Sequence, residues 1–137
     1  MHIHLTNGGT SLLFKAVGDS LEIIHWGSEL GDFDEEALAI SQAPMPHGDL
    51  DVALRGLILR EHSRGWKGHP ALRGHRSGKS ASNHFSLVKH NSDKSSATFH
   101  FEDAIAGLAL QIKYALDQYG ILTIESSITN TADGDYA

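Results

Sequence analysis

The residues best suited to chemistry lie in one polar loop, Glu61-His62-Ser63-Arg64-Gly65-Trp66-Lys67-Gly68. An indole on a glycine-flanked loop can present its flat apolar face to the C–H face of a sugar ring. It can equally pack beneath its own loop. An arginine beside it can donate N–H groups to hydroxyls. Trp66 and Arg64 are therefore candidate substrate-binding residues. Asp51, which with Asp49 closes a long irregular stretch, is a third candidate. Trp26, between a strand-like run and Gly27, is expected to pack in the core or against another domain. His25 is expected to be a hydrogen-bonded polar group at a sheet end.

Other clusters carry less. His2 and His4 fall on one strand face, but the remaining histidines are dispersed and cysteine is absent, so no metal site is assigned. Asp32, Asp34, Glu35 and Glu36 lack the alternation and the glycine of a calcium loop and read as the acidic start of a helical turn. Gly74 to Ser80 ends in Gly-Lys-Ser, but the first glycine of a phosphate loop would fall on Arg73, and no buried strand precedes it. The formal net charge of −6 argues against a nucleic-acid partner. No apolar run approaches the ~20 residues of a membrane helix. Met1 to Leu5 lacks the features of a signal peptide, which leads to the expectation of a cytoplasmic protein.

The elements that would position these residues read as β. With 40% hydrophobic and 20% charged residues, the 137-residue chain suits one globular domain. Asn7-Gly8-Gly9 is a turn signal between Ile3–Thr6 and Ser11–Val17, where Leu12, Phe14 and Ala16 share a face. Leu21, Ile23 and His25 then alternate with Glu22, Ile24 and Trp26. From Gly27 to Asp51 the pattern dissolves, and Glu61–Ser80 is loop. Leu57–Leu59 and Phe85–Lys89 read as short strands, and Ala97, Phe99 and Phe101 line one face of the next. Gly107–Asp117 fits a strand face (Leu108, Leu110, Ile112, Tyr114, Leu116) and also a helix side (Ile105, Leu108, Ala109, Ile112, Leu116, Tyr119). A turn at Asp117–Gly120 followed by the Ile- and Thr-rich run Ile121–Thr129 favours strand, with Leu110, Ile112, Leu122 or Ile124 buried on a common face. Asn130–Ala137 is turn-like directly after a long strand, so the chain is expected to be a truncated piece of a longer protein.

Four segments in order resemble the N-terminal domain of family 36 glycoside hydrolases, the α-galactosidase and raffinose-synthase group. They are Leu5–Leu12; Ile24–Gly27 with Leu30-Gly31; Glu61–Gly68 continuing through Pro70, Leu72, Gly74, His75 and Arg76; and the last strand closing on Thr129-Asn130-Thr131. The resemblance spans nearly the whole chain, departing at Asp32–Asp51. It implies an all-β antiparallel β-sandwich of the galactose-mutarotase-like supersandwich kind, one N-terminal domain over residues 1–137. In the family this domain precedes a barrel whose two aspartates work by retaining double displacement, with carboxyl groups about 5 Å apart. That barrel is expected to be absent from this chain, so no catalytic residue, metal or cofactor is assigned. The implied role is non-catalytic: supporting a C-terminal catalytic barrel, building a homo-oligomer interface and lending a loop to the mouth that takes α-galactoside oligosaccharides. An autonomous carbohydrate-binding module and a pure oligomerisation scaffold remain alternatives.

Overall fold

The computed structural model describes residues 1–34, 37–38 and 56–137. It contains two antiparallel sheets, as expected of a β-sandwich. The first has three strands in the order β1 (His2–Asn7), β2 (Thr10–Val17) and β3 (Ser20–Ser28). The second has four: β4 (Ser86–Ser92), β5 (Ser96–Asp103), β6 (Leu108–Leu116) and β7 (Leu122–Asn130). Each is a meander in which neighbours in sequence pair in space. The two-residue period of the strands builds the core between them. Ile3 and Leu5, Leu12 and Phe14, and Leu21 face Phe99, Phe101, Leu108, Ile112, Tyr114 and Leu116. Phe14 sits at the centre, edge-on to Phe99 and to Tyr114 with both ring centroids at 4.9 Å. Fully burying a side chain of this size contributes about 1.5–3 kcal/mol. Burial also pushes the Tyr114 phenol up to about 12, so it serves here as a neutral aromatic.

The ambiguous run resolves as strand: Leu108–Leu116 is β6, with Leu108, Ile112, Tyr114 and Leu116 buried. Tertiary pairing on both sides, to β5 and β7, overrides the helical alternative. Three expectations need correction. Register slips between β2 and β3, from Leu13↔His25 to Phe14↔Ile23, so Ile24 is an extra residue and His25 and Ile23 do not share a face. Leu57 makes only an isolated bridge with Glu22, not a strand. Ile124 shares the inner face with Tyr114 but is 55% exposed, because the three-stranded sheet does not extend over β7. Leu38 N–H donates to the Asp34 carbonyl, one helical turn as expected, while Glu35, Glu36 and 39–55 lie outside the described residues.

On the outer face of the first sheet, Ser11 and Leu13 are fully buried although they point away from Leu12 and Phe14. Ser11 Oγ accepts from Leu30 N–H at 2.9 Å and lies 2.9 Å from His4 Nε2, and Phe33 meets the His4 ring edge-on. Residues after β3 thus fold back over this face. Burial, aided by nearby His25, holds the His4 imidazole below its usual range.

The two sheets are also locked at their turns. Gly8, at φ 55°, lies against the Gln118–Gly120 backbone, and a Cβ there would come within 2.6 Å of the Tyr119 carbonyl carbon. Asn7 Nδ2 donates to the Leu116 carbonyl beside this crossing. Gly8→Ala combines left-handed strain with a backbone clash and should cost about 3 kcal/mol or more. Gly9→Ala, at φ 76° with open space around it, should cost only about 1 kcal/mol. Urea unfolding of the two variants measures the difference, and equal losses would show that the turns do not interlock.

Candidate functional site

The loop between Gly56 and Phe85 has few apolar residues and is held by polar contacts. Glu61 precedes a single 3₁₀ turn, His62–Arg64, which Gly65 ends in the left-handed region at φ 85°. Glu61 is 3% exposed, and both its oxygens are used: Oε1 accepts from Phe85 N–H at 2.7 Å and Oε2 from Arg64 Nε at 2.8 Å. Arg64 Nη1 donates to Asp19 Oδ1 at 2.9 Å and Nη2 to the Phe85 carbonyl at 2.8 Å. Asp19 lies in the β2–β3 turn and Phe85 just ahead of β4. One guanidinium therefore ties the loop to both sheets. Its role here is to brace the loop, and these three donors are not free for a ligand's hydroxyls. Glu61 and Arg64 both lie in the polar loop singled out in the sequence. Asp19, 45 positions away, carried no signal.

Asp19 also collects Ser86 Oγ at 2.8 Å and His84 Nε2 at 3.1 Å, and His84 Nδ1 lies 3.2 Å from Ser63 Oγ. Serine, histidine and aspartate thus stand in a row, as in a hydrolase triad, an arrangement not visible in the sequence. The chemistry differs. Ser63 gives its single hydroxyl proton to the Asn83 carbonyl at 2.6 Å, so it has none to pass to His84. Asp19 is bound to Arg64 rather than reserved for the imidazole. The row is a polar brace.

Trp66 is half-buried beyond this brace. Its Nε1 donates to the His69 carbonyl at 2.9 Å, and the Arg60 guanidinium lies 4.7 Å from its ring centroid. Gly68 approaches so closely that a Cβ would come 2.9–3.1 Å from Nε1, Cε2 and Cζ2. Trp66 and Arg64 are thus brought into one loop, while Asp51 lies outside the described residues. Trp26 is 64% exposed, so it does not belong to the core of these residues. His25 Nε2 meets the Ser28 carbonyl at 3.0 Å near the end of β3.

Beside the loop, the uncovered inner face of β6 and β7 forms an apolar trough of about 450 Å³. Ile58, Leu72, Phe85, Tyr114, Ile124 and Ile128 line it. Arg76 clasps the end of the chain at its far side, donating to the Asp133, Gly134 and Ala106 carbonyls and to Asn130 Oδ1. Ala137 pairs with His75 through two backbone hydrogen bonds. Among the described residues no group of three His, Asp or Glu converges as a metal site, and no helix is long and apolar enough to cross a membrane.

Two outcomes follow for the brace. Arg64→Ala leaves the buried Glu61 carboxylate without its cation and should cost about 3 kcal/mol in chemical denaturation; a loss within experimental error would show the brace is dispensable. Hydrogen bonding from Arg64, reinforced by Ser86 and His84, holds the Asp19 carboxyl well below the usual carboxylate range. A lowered folded pKa gives stability that is present above the unfolded value, about 4, and lost as pH falls towards the folded one. Asp19→Asn should therefore be less stable than the parent at neutral pH, and the gap in Tm should narrow steadily below about pH 4. A gap independent of pH would contradict the pairing.

The family profile described as "Glycosyl hydrolase family 36 N-terminal domain" matches residues 19–137. An Escherichia coli α-galactosidase is 33% identical over 115 residues, which is 84% of this chain but 16% of that protein. Among solved structures, the GH36 α-galactosidase AgaA from Geobacillus stearothermophilus superposes with a TM-score of 0.71 at 17% identity, over 95% of this chain and 22% of that one. AgaB from the same organism gives 0.67 at 18% identity, over 94% and 21%. A variant of AgaA solved in complex with raffinose gives 0.68 at 19%, over 95% and 22%. The structural likenesses establish a shared fold, and the chain spans about a fifth of the length of those relatives. With the profile covering Asp19 to the last residue and the sandwich in place, the chain belongs to the glycosyl hydrolase family 36 N-terminal domain family.

Proposed function

We propose that this chain is the non-catalytic N-terminal domain of an α-galactosidase, the parent enzyme hydrolysing terminal α-galactosyl groups on a catalytic barrel outside these 137 residues. The observation that carries the reading is the fate of the buried carboxylates. A retaining glycosidase needs two carboxyl groups about 5 Å apart facing a sugar. The two buried carboxylates among the described residues are Glu61 and Asp103. Glu61 is held by Arg64 and Phe85. Asp103 Oδ1 caps the Ile105 and Ala106 N–H groups and its Oδ2 takes His84 N–H. Both oxygens of each are engaged in hydrogen bonds, those of Glu61 with Phe85 N–H and the Arg64 guanidinium and those of Asp103 with backbone N–H groups.

On this reading the domain buttresses the barrel through its uncovered apolar surface, the trough and Trp26, and contributes to a subunit interface. The Trp66 loop is its contribution to the substrate mouth. Trp66 is the proposed sugar-facing group and Arg64 its positioning residue. Asp51 is a further proposed contact. The proposed setting is cytoplasmic.

The purified chain should give no turnover of a nitrophenyl α-galactoside, and titration with raffinose should change its tryptophan fluorescence weakly or not at all. Turnover would overturn the assignment. Saturable, tight quenching would favour an autonomous carbohydrate-binding module instead.

A further inference from the structure

Glu29 to Phe33 form a strap over the outer face of the first sheet. Glu29 N–H donates to the Gly9 carbonyl at 2.9 Å, and Leu30 N–H donates to Ser11 Oγ at 2.9 Å. Phe33 then meets the His4 ring, with centroids 5.4 Å apart and planes at 86°. The strap thus leaves the end of β3, crosses β2 and reaches β1. His4 stands opposite Leu13, and Leu13 opposite His25, in one row across this face. Leu13 is fully buried although the core lies on the other side of the sheet.

One proton decides whether the middle of the strap is held. Ser11 is fully buried, and its hydroxyl carries a single proton. Its oxygen accepts from Leu30, and its other side-chain neighbour among the described residues is His4 Nε2 at 2.9 Å. When His4 is neutral with its proton on Nδ1, Nε2 accepts the Ser11 proton and both groups are satisfied. When His4 is protonated, Nε2 is a donor too, and two donors meet. The Ser11 hydroxyl must then turn away inside a space closed to water, which is costly for a buried polar group.

We propose that His4 is the trigger of a pH-sensitive latch: neutral, it holds the Glu29–Phe33 strap on the sheet; protonated, it releases the strap and uncovers Leu13. The charges around it act in both directions. On β1, His2 continues the same face; it stands opposite Lys15 on β2, which stands opposite Glu22 on β3. His25 lies in the His4 row. From the strap come Glu29 and, on either side of Phe33, Asp32 and Asp34. Burial, reinforced by His25, holds the His4 imidazole below its usual range against the opposing pull of Glu29. The latched form therefore takes up the proton less readily than the open form. Latching is complete above the open-form value, about 6.5, and is lost as pH falls below it.

Amide hydrogen exchange read by NMR follows the latch directly, because the Leu30 N–H is one of its bonds. Corrected for intrinsic exchange chemistry, protection of the Leu30 amide should fall several-fold from about pH 7.5 to about pH 5.5, approaching about tenfold one pH unit below the open-form value. Protection of the Phe99 amide in β5 should hold over the same range. In His4→Gln the side-chain carbonyl accepts the Ser11 proton at every pH, so Leu30 should stay protected at about pH 5.5. Phe33→Ala leaves the sheet intact and uncovers the imidazole, so the His4 ring-proton titration should move up towards about 6.5. That readout serves also if the glutamine variant does not fold. Leu30 protection independent of pH in the parent chain overturns the latch. So does a fall that persists in His4→Gln, since another group would then drive it, and so does a His4 midpoint unmoved by Phe33→Ala. Loss of Phe99 protection together with Leu30 marks global unfolding and overturns it as well.

Discussion

The arrangement rests on one buried carboxylate. Glu61 lies inside a loop with too few apolar residues to fold on hydrophobic burial alone, and a carboxylate there is tolerated only with its partners in place. Arg64 and Phe85 N–H supply them. Because Arg64 also reaches Asp19, the loop is fixed to the β2–β3 turn on one sheet and to the entry of β4 on the other. Trp66 is positioned as a consequence, two residues beyond the guanidinium. The loop's shape is therefore set by electrostatics, while the sheets beneath it are set by the Phe14, Phe99 and Tyr114 contact. The two systems meet at Asp19 and Phe85.

A second constraint is the mismatch of the sheets. Three strands face four, so the inner side of β7 has no opposing layer among the described residues. Ile124 and Ile128, 55% and 47% exposed, alternate inward like core residues and yet meet solvent. A sandwich strand that is inward-patterned but uncovered is a surface made to be covered. The trough is the consequence of that one strand's uncovered face.

Much of the fold was legible because the alternation is strong where both faces differ. Leu12 and Phe14 and Ala97 to Phe101 read directly as inner faces, whereas Leu108 to Leu116 fitted strand and helix alike and only the turn and the Ile- and Thr-rich run after it favoured strand. Two failures have physical causes. A bulge at Ile24 inverts the phase of β3 halfway along, and no local residue signals it, since the slip is set by pairing with β2. Ser11 and Leu13 looked like outward positions, and their burial depends on a segment that folds back from Leu30 and Phe33. The site was less legible than the fold. Trp66 and Arg64 were found as a pair by their types, but the contacts of Arg64 with Asp19, Glu61 and Phe85 were not. Pairings across long stretches of chain cannot be read from spacing.

The segments by which the chain resembles its family are architectural wherever the structure describes them in contact. Gly8 sits where two turns cross and admits no side chain. Arg64 binds the sheets. Gly74 leaves room for the Tyr136 ring, and Arg76 ties Asn130, Asp133 and Gly134 to the Ala106 carbonyl. A signature made of close approaches and buried ion pairs constrains shape far more than reactivity.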